Sequence, residues 1–379
     1  MESIDIKLRQ HKFILLVVDH YNPLGLARSL GRVGIKPIVI LVSEHPVLLN
    51  HCKYVQELHQ VVSSEDGYDY LISHYGKEDK KPFVFTGDDK TVAVLDDHFD
   101  DLKDKFYVYN SGKKGRLHEL MNKDVITSLA EEVGFKIPQK EVVNHGEFPK
   151  TLTYPIITKT IMSILGGWKD DVFICNTQEE LKNAYPKIKT PKLMLQEYIH
   201  KKNEWCFEGI SVNGGKDVYI PFVIKYLRFS KKSYGFYMTV EPLKDEKLRS
   251  MLYELMRRTQ FEGIFDIEFM EGPDGDLYFL EVNFRSTTWS YALTCGNVNE
   301  PYLWAKAMLE GKIDYDNIQP QKEMFTAIVE PSDFKENVLT HKVGIFKWIK
   351  QLRACKCKFY YTKDDPKPFW SYILKSFKH

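Results

Sequence analysis

Residues 263–285, GIFDIEFMEGPDGDLYFLEVNFR, constrain this chain more than any other stretch. Two apolar runs, 264–270 and 277–282, are joined by Glu271-Gly272-Pro273-Asp274-Gly275-Asp276. Gly, Pro and Asp between β-prone runs predict an antiparallel hairpin. Side chains alternate between the faces of a strand, so Glu281 and Asn283 point the same way, with Arg285 if the strand runs that far. Asp266 and Glu268 likewise share a face of the partner strand. If the two faces coincide, carboxylates and an amide oxygen converge, with a guanidinium just beyond. Hard oxygen donors, with no His or Cys nearby in sequence, suit Mg²⁺ or Mn²⁺ rather than zinc. The plain alternative is a hairpin with a solvated charged face. Against it, Leu280-Glu281-Val282-Asn283 sets polar side chains into an aliphatic run.

A chain of 379 residues has room for two or three domains and an ample core. Its 53 Lys and Arg balance 52 Asp and Glu, so the composition offers no case for a nucleic-acid partner. The six cysteines are scattered through apolar runs, as expected in a reducing compartment. The amino terminus, MESIDIKLRQHK, is too polar for a signal peptide, and no apolar run approaches the ~20 residues of a membrane span. A cytoplasmic location is the expectation.

Residues 13–18 (FILLVV) predict a buried strand, 24–33 a helix closed by Gly34, and 37–42 the next strand. This β-α-β unit predicts an open parallel sheet with a ligand crevice at the carboxyl ends of its strands. Gly25 alone is no dinucleotide fingerprint. Residues 82–86 form a third strand, followed by Asp88 and Asp89, which serve either the crevice or the cap of the next helix. Periodicity predicts one helix over 118–135 with Lys123 near its start. A strand over 155–159 ends in Lys159. The loop at 163–169 contains Gly166-Gly167, and a flexible Gly loop between strands can fold over phosphates. It is not the P-loop pattern. Residues 192–199 predict a strand entering a polar turn, 222–228 a strand carrying Lys225 and Arg228, 230–235 a mobile loop, and 243–261 a helix.

With these pieces in this order, the hairpin ending in Glu281-Val282-Asn283-Phe284-Arg285 resembles the metal-binding core of the ATP-grasp superfamily. The resemblance spans residues 13–311. It implies a mixed α/β and α+β fold with three parts: an N-terminal parallel-sheet domain at 1–115, an ATP-grasp domain at 116–312 containing a small lid subdomain at about 150–198, and an extension at 313–379. The antiparallel sheet of the second part would carry the metals. The implied metal ligands are Glu268, Glu281 and Asn283, holding two Mg²⁺ ions (or Mn²⁺) against ATP, with Asp266 the rival for the first position. Arg285 would face the acyl phosphate or the substrate carboxylate. Lys123 and Lys159 would reach ATP phosphates, and Lys225, or failing it Arg228, the γ-phosphate. Gln196, Glu197, Tyr198 and Ile199 resemble the adenine hinge, whose structural alternative is an edge strand. Glu204, or Asn203, would bond the ribose. Asp88 and Asp89 are the candidates for binding an amine. Thr160 stands where the family has Pro, and residues 286–296 would line the mouth of the site.

The implied activity is ADP-forming ligation of a carboxylate to an amine through an acyl phosphate. The alternatives are a small-molecule kinase and a non-catalytic ATP-binding module. The acid would be a small molecule or a cell-envelope-type carboxylate, and an amino acid is the foremost amine. Arg28-Ser29-Leu30-Gly31-Arg32-Val33-Gly34 and Asp365-Pro366-Lys367-Pro368 look most like the D-aspartate ligase group. Self-association stays open.

Residues 335–379 carry eleven Lys and Arg against three Asp and Glu, interleaved with aromatics. Segments 345–352 and 369–377 suit short amphipathic helices with basic flanks. Two readings follow: peripheral contact with an anionic membrane, or an extra subdomain packed on the core.

Overall fold

The computed structural model describes residues 4–161, 171–228 and 235–376. The Gly loop expected at 163–169 therefore lies outside the described residues, as does most of the loop expected at 230–235. Three sheets organise the rest.

The first is parallel, in the order β3-β2-β1-β4, built from β1 (Phe13–Val18), β2 (Ile38–Val42), β3 (Glu57–Val61) and β4 (Phe83–Phe85). β1 reads as an unbroken apolar run because helices cover both of its faces. The helix Tyr21–Arg32 starts one turn earlier than its apolar spacing suggested, because the side chain of His20 caps it by accepting from the Asn22 N–H. Gly25 has a packing role: a Cβ there would lie 2.7 Å from the Tyr291 Cβ, so its absence lets the helix Ser290–Cys295 approach closely.

The second sheet is small and antiparallel, in the order β5-β8-β6-β7: β5 (Lys140–Asn144), β6 (Ile156–Thr160), β7 (Ile174–Cys175) and β8 (Lys192–Glu197). It has its own core of Leu152, Ile156, Leu181, Leu193 and Leu195. β8 is interior, which overturns the edge-strand alternative for the hinge.

The third sheet has eight strands: β9 (Asn203–Val212), β10 (Asp217–Tyr219), β11 (Phe222–Arg228), β12 (Tyr237–Pro242), β13 (Gly263–Glu271), β14 (Leu277–Asn283), β15 (Phe325–Ile328) and β16 (Cys357–Lys358). Its order is β14-β13-β9-β11-β12-β15-β16, with β10 paired to β9. The expected hairpin is β13–β14. The segment after residue 313 supplies β15 and β16, so it extends this sheet.

The single helix expected over 118–135 is two, Arg116–Leu120 and Lys123–Val133. Asn122 leaves helical geometry and caps the second by accepting from the Asp124 N–H, a break that periodicity alone does not reveal. The cap places Lys123 in the first turn, where its own N–H donates to the Ile161 carbonyl at 2.9 Å beside the small sheet.

The last segment is packed rather than loose. Arg28 is buried and donates to Asp365 Oδ2 at 2.9 Å, and also to the carbonyls of Phe359, Tyr360 and Asp365. The two short motifs at 28–34 and 365–368 thus meet in one contact. The tail combines an extra subdomain, containing the helices Ile345–Ala354 and Lys367–Ser376, with an exposed face described below.

Candidate functional site

Cross-strand register settles which side chains share a face. Asp266 pairs with Asn283 and Glu268 with Glu281, and a bulge follows Glu268. On the other side of β13, Asp266 pairs with Glu208 and Glu268 with Cys206. One face of three adjacent strands therefore carries Glu204, Cys206, Glu208, Asp266, Glu268, Glu281 and Asn283. The metal-ligand candidates fall together, and both rivals for the first position lie on this face. Sequence order hid Cys206, which stands beside Asp266 and Glu268 with their ligand atoms all within 4.8 Å of one another. The expectation of no sulfur nearby is corrected by β9.

Hydrogen bonds tie the face into a chain. Asn283 Nδ2 donates to Glu268 at 2.9 Å, while its Oδ1 accepts from Arg285 at 3.0 Å. Arg285, two residues past the end of β14, donates from Nε to Asp89 at 2.5 Å, joining the hairpin to the crevice of the parallel sheet. Asp88 turns the other way and caps the helix Asp89–Asp97 through the Thr91 N–H at 2.9 Å. Of the two amine candidates, Asp88 is thus committed to a cap and Asp89 to Arg285.

Lys123 is ion-paired to Glu281. Burial works against the charge on Lys123, but Glu281, Glu268 and Asp89 outweigh it and raise its pKa. The same ammonium holds Glu281 below the usual carboxylate range. Lys159, on β6, faces the group from the small sheet. Burial, then the neighbouring Lys123, lowers its pKa to about 8, against the pull of Glu281 and Glu204. Lys159 shares its face of the small sheet with Gln196, through the pairs Lys159–Met194 and Ile157–Gln196. At the hinge, the Glu197 N–H donates to the Gln139 carbonyl at 2.8 Å and the Tyr198 N–H to the Pro155 carbonyl at 3.0 Å. That leaves the Gln196 side chain and Ile199 as the hinge groups outside these two bonds. Glu204 accepts from Lys201 at 2.7 Å, whereas Asn203 is spent on the backbone of Tyr226.

Lys225 and Arg228 are not brought to this group. Lys225 pairs in register with Trp205, on the opposite face of the sheet. Its ammonium sits 3.9 Å from the Trp205 ring centroid and 3.0 Å from Glu241. The sequence shows a cation in a strand but not which face it takes. Arg228 donates to Asp333 and Gln351 in the C-terminal segment. After Arg285, residues Ser286, Thr287 and Ser290 are buried rather than at a mouth. Thr287 donates to Glu208 from both N–H and hydroxyl at 3.0 Å, and Ser290 donates to the same oxygen.

The donor set fits divalent cations. Asp266 is fully buried, and neither of its carboxylate oxygens meets a donor among the described residues. Burial, then its carboxylate neighbours, pushes Asp266 and Glu268 well above the usual range. Clustered buried carboxylates of this kind are stabilised either by protons or by cations, and oxygen donors suit Mg²⁺ or Mn²⁺. Glu208, pushed to about 7 mainly by burial, and the buried Glu300 stand behind Asp266. Glu208 carries the same sequence signal as Glu281, an acid inside a β-run (WCFEGISV). A cavity of ≈480 Å³ at the amino ends of β1 and β2 includes none of these residues.

No protein-family profile and no curated protein sequence matches the chain. Solved structures do. N5-carboxyaminoimidazole synthetase from Staphylococcus aureus superposes with a TM-score of 0.65 at 15% identity, covering 87% of this chain and 86% of that one. L-amino acid ligase from Bacillus licheniformis gives 0.64 at 14% identity, with 84% and 80% covered. The biotin carboxylase domain of Hydrogenobacter thermophilus 2-oxoglutarate carboxylase, solved with MgADP, ADP and bicarbonate, gives 0.63 at 16%, with 84% and 76% covered. Likeness of this extent, together with the three sheets and their order, identifies the chain as one with the ATP-grasp fold.

Proposed function

We propose that this protein is an ATP-dependent ligase that joins a carboxylate to an amine and releases ADP and phosphate. The observation that carries the reading is the facing of two groups across one cleft. Glu268, Glu281 and Asn283 lie in register on the large sheet, and Lys123 and Lys159 are held against them, Lys159 from the small sheet. The fold of the two ligases and the carboxylase named above supports it.

Amide formation from a free acid is uphill in water, so the acid must first be activated. Lys123 and Lys159 would neutralise the phosphates of ATP, with Gln196 and Ile199 serving the adenine edge and Glu204 the ribose. Glu268, Glu281 and Asn283, backed by Asp266, would hold two Mg²⁺ ions. When bound, such ions neutralise phosphate charge and lower the barrier to its transfer. Arg285, partly buried and fixed by Asp89 and Asn283, would bind the substrate carboxylate or its acyl phosphate. The substrate carboxylate attacks the γ-phosphorus and forms an acyl phosphate with loss of ADP. The amine then attacks the acyl carbon and expels phosphate. The residues bind, orient and exclude water.

The test is ADP release from MgATP across panels of acids and amines. The ligase reading expects release that requires both substrates, and a product mass equal to acid plus amine less water. Release with the acid alone and a stable phosphorylated product would replace it with a kinase. MgATP binding without turnover across the panel would replace it with a binding module.

A further inference from the structure

The helix Ile345–Ala354 presents two unlike faces. Its inner face is fixed: Trp348 is buried, its Nε1 donates to Asp333 at 2.8 Å, and its ring meets Phe334 edge-on at 5.1 Å. Asp333 in turn accepts from Arg228 Nε at 3.0 Å, which anchors the helix to the large sheet. The outer face and the connection before it are exposed. Phe346 is 86% exposed, Leu339 61% and Ile345 40%. Three exposed large apolar side chains within eight residues of chain concentrate apolar surface at this end of the helix.

The charge around them is one-sided. From residue 337 to residue 363 the chain contains no Asp or Glu but carries Lys342, Lys347, Lys350, Arg353, Lys356, Lys358 and Lys363. The first four of these are exposed beside the apolar group. We propose that the surface formed by Leu339, Ile345 and Phe346, rimmed by Lys342, Lys347 and Lys350, docks on an anionic lipid bilayer.

Charge complementarity selects the lipid. Interface cores between proteins are depleted in lysine, and a nucleic acid stacks its bases on aromatic faces, which Leu339 and Ile345 do not offer. An apolar centre with a lysine rim matches the boundary between acyl chains and acidic headgroups. The platform is rigid because Trp348 and Asp333 hold it, so docking requires no folding step. The helix Lys367–Ser376, the other amphipathic segment, is anchored at its start by buried Pro368 and by the Tyr360–Tyr372 ring contact.

The experiment is flotation of the full chain with vesicles of phosphatidylcholine alone and with about a third phosphatidylserine. Truncation is unsuitable because it removes Asp365 from Arg28, so the charge-introducing variant Leu339→Glu/Phe346→Glu and the charge-reversed variant Lys342→Glu/Lys347→Glu are compared, with thermal midpoints confirming folding. The expected result is binding to the anionic vesicles only, weakened by added salt and lowered roughly tenfold or more in each variant. Equal binding to both vesicle types, or anionic binding that the variants leave intact, overturns the proposal. A lack of vesicle binding also overturns it, and if self-association then depends on Phe346, the surface belongs to a second copy of the chain.

Discussion

Lys123 and Glu281, 158 residues apart in the chain, form an ion pair that ties the helix Lys123–Val133 to β14 of the large sheet. A cation held at Glu281 would compete with Lys123 for this carboxylate, and on the ligase reading the released ammonium would serve a phosphate. Mg²⁺ alone should therefore raise the thermal midpoint of Lys123→Met more than that of the parent protein, measured by scanning fluorimetry. Glu281→Gln should lower ATP turnover at least ~100-fold, as expected when a charge-stabilising group is lost. Unchanged turnover would remove the metal reading.

Lys159 gives a pH signature. In the free protein burial and Lys123 hold its pKa at about 8, below its ordinary value. Below that pH it is a cation; above it, pairing with a phosphate would require that a proton be taken up first. Nucleotide affinity should fall as pH rises past 8, with proton uptake on binding at about pH 9. Calorimetry in buffers of different ionisation enthalpy measures both, and Lys159→Met should lose the uptake.

Lys225 should be nearly silent in catalysis. Its stack on Trp205 and its pair with Glu241 lie on the far face of the sheet. Lys225→Ala should cost about 1 kcal/mol of stability and leave kcat/KM for ATP within about threefold, whereas Lys159→Ala should lose far more. Equal losses would mean that the strand presents Lys225 to the cleft after all.

His20 should make stability sag in mild acid. Burial, against the pull of Asp19, lowers its pKa from 6.5 to about 4. Above 6.5 the imidazole is neutral in both the folded and unfolded chain, so its effect is absent. As pH falls from 6.5 towards 4 the unfolded chain takes a proton that the folded chain refuses, and stability drops. The full loss is about 3 kcal/mol at the acid end. Denaturant titration of His20→Gln should show a flatter profile across that window.

Asp365→Ala should destabilise the protein by about 3–5 kcal/mol, because it leaves a buried guanidinium without its anion. A change below about 1 kcal/mol would mean that Arg28 relaxes to solvent. Thermal or urea unfolding measures it.

The hairpin was legible because alternation along two short strands fixes which side chains coincide, and register then did what spacing predicted for Glu268, Glu281 and Asn283. β1, β2 and β4 were legible from unbroken apolar runs. β3 was not, because Glu57 to Val61 (ELHQV) is half polar, as suits a sheet edge. Asn122 broke a helix that periodicity drew as one, through a side-chain cap that hydrophobic spacing does not register. Lys225 was misplaced for a different reason. A cation in a strand shows only that one face bears charge, and only the partner strand decides which face. Glu208 showed the signal of an acid inside a β-run, but neither it nor Cys206 could be assigned to the site, because they join it laterally from a strand some sixty residues away, a relationship that exists only once the sheet forms.

The contact between Arg28 and Asp365 closes a loop of 337 residues. During synthesis, the helix carrying Arg28 emerges from the ribosome 331 to 337 residues ahead of Phe359, Tyr360 and Asp365, which accept its hydrogen bonds. The helix Tyr21–Arg32 therefore cannot complete its packing until residue 365 has been made. A prematurely terminated product would carry the defect in its oldest part, far from the cut, where quality-control proteases can detect it.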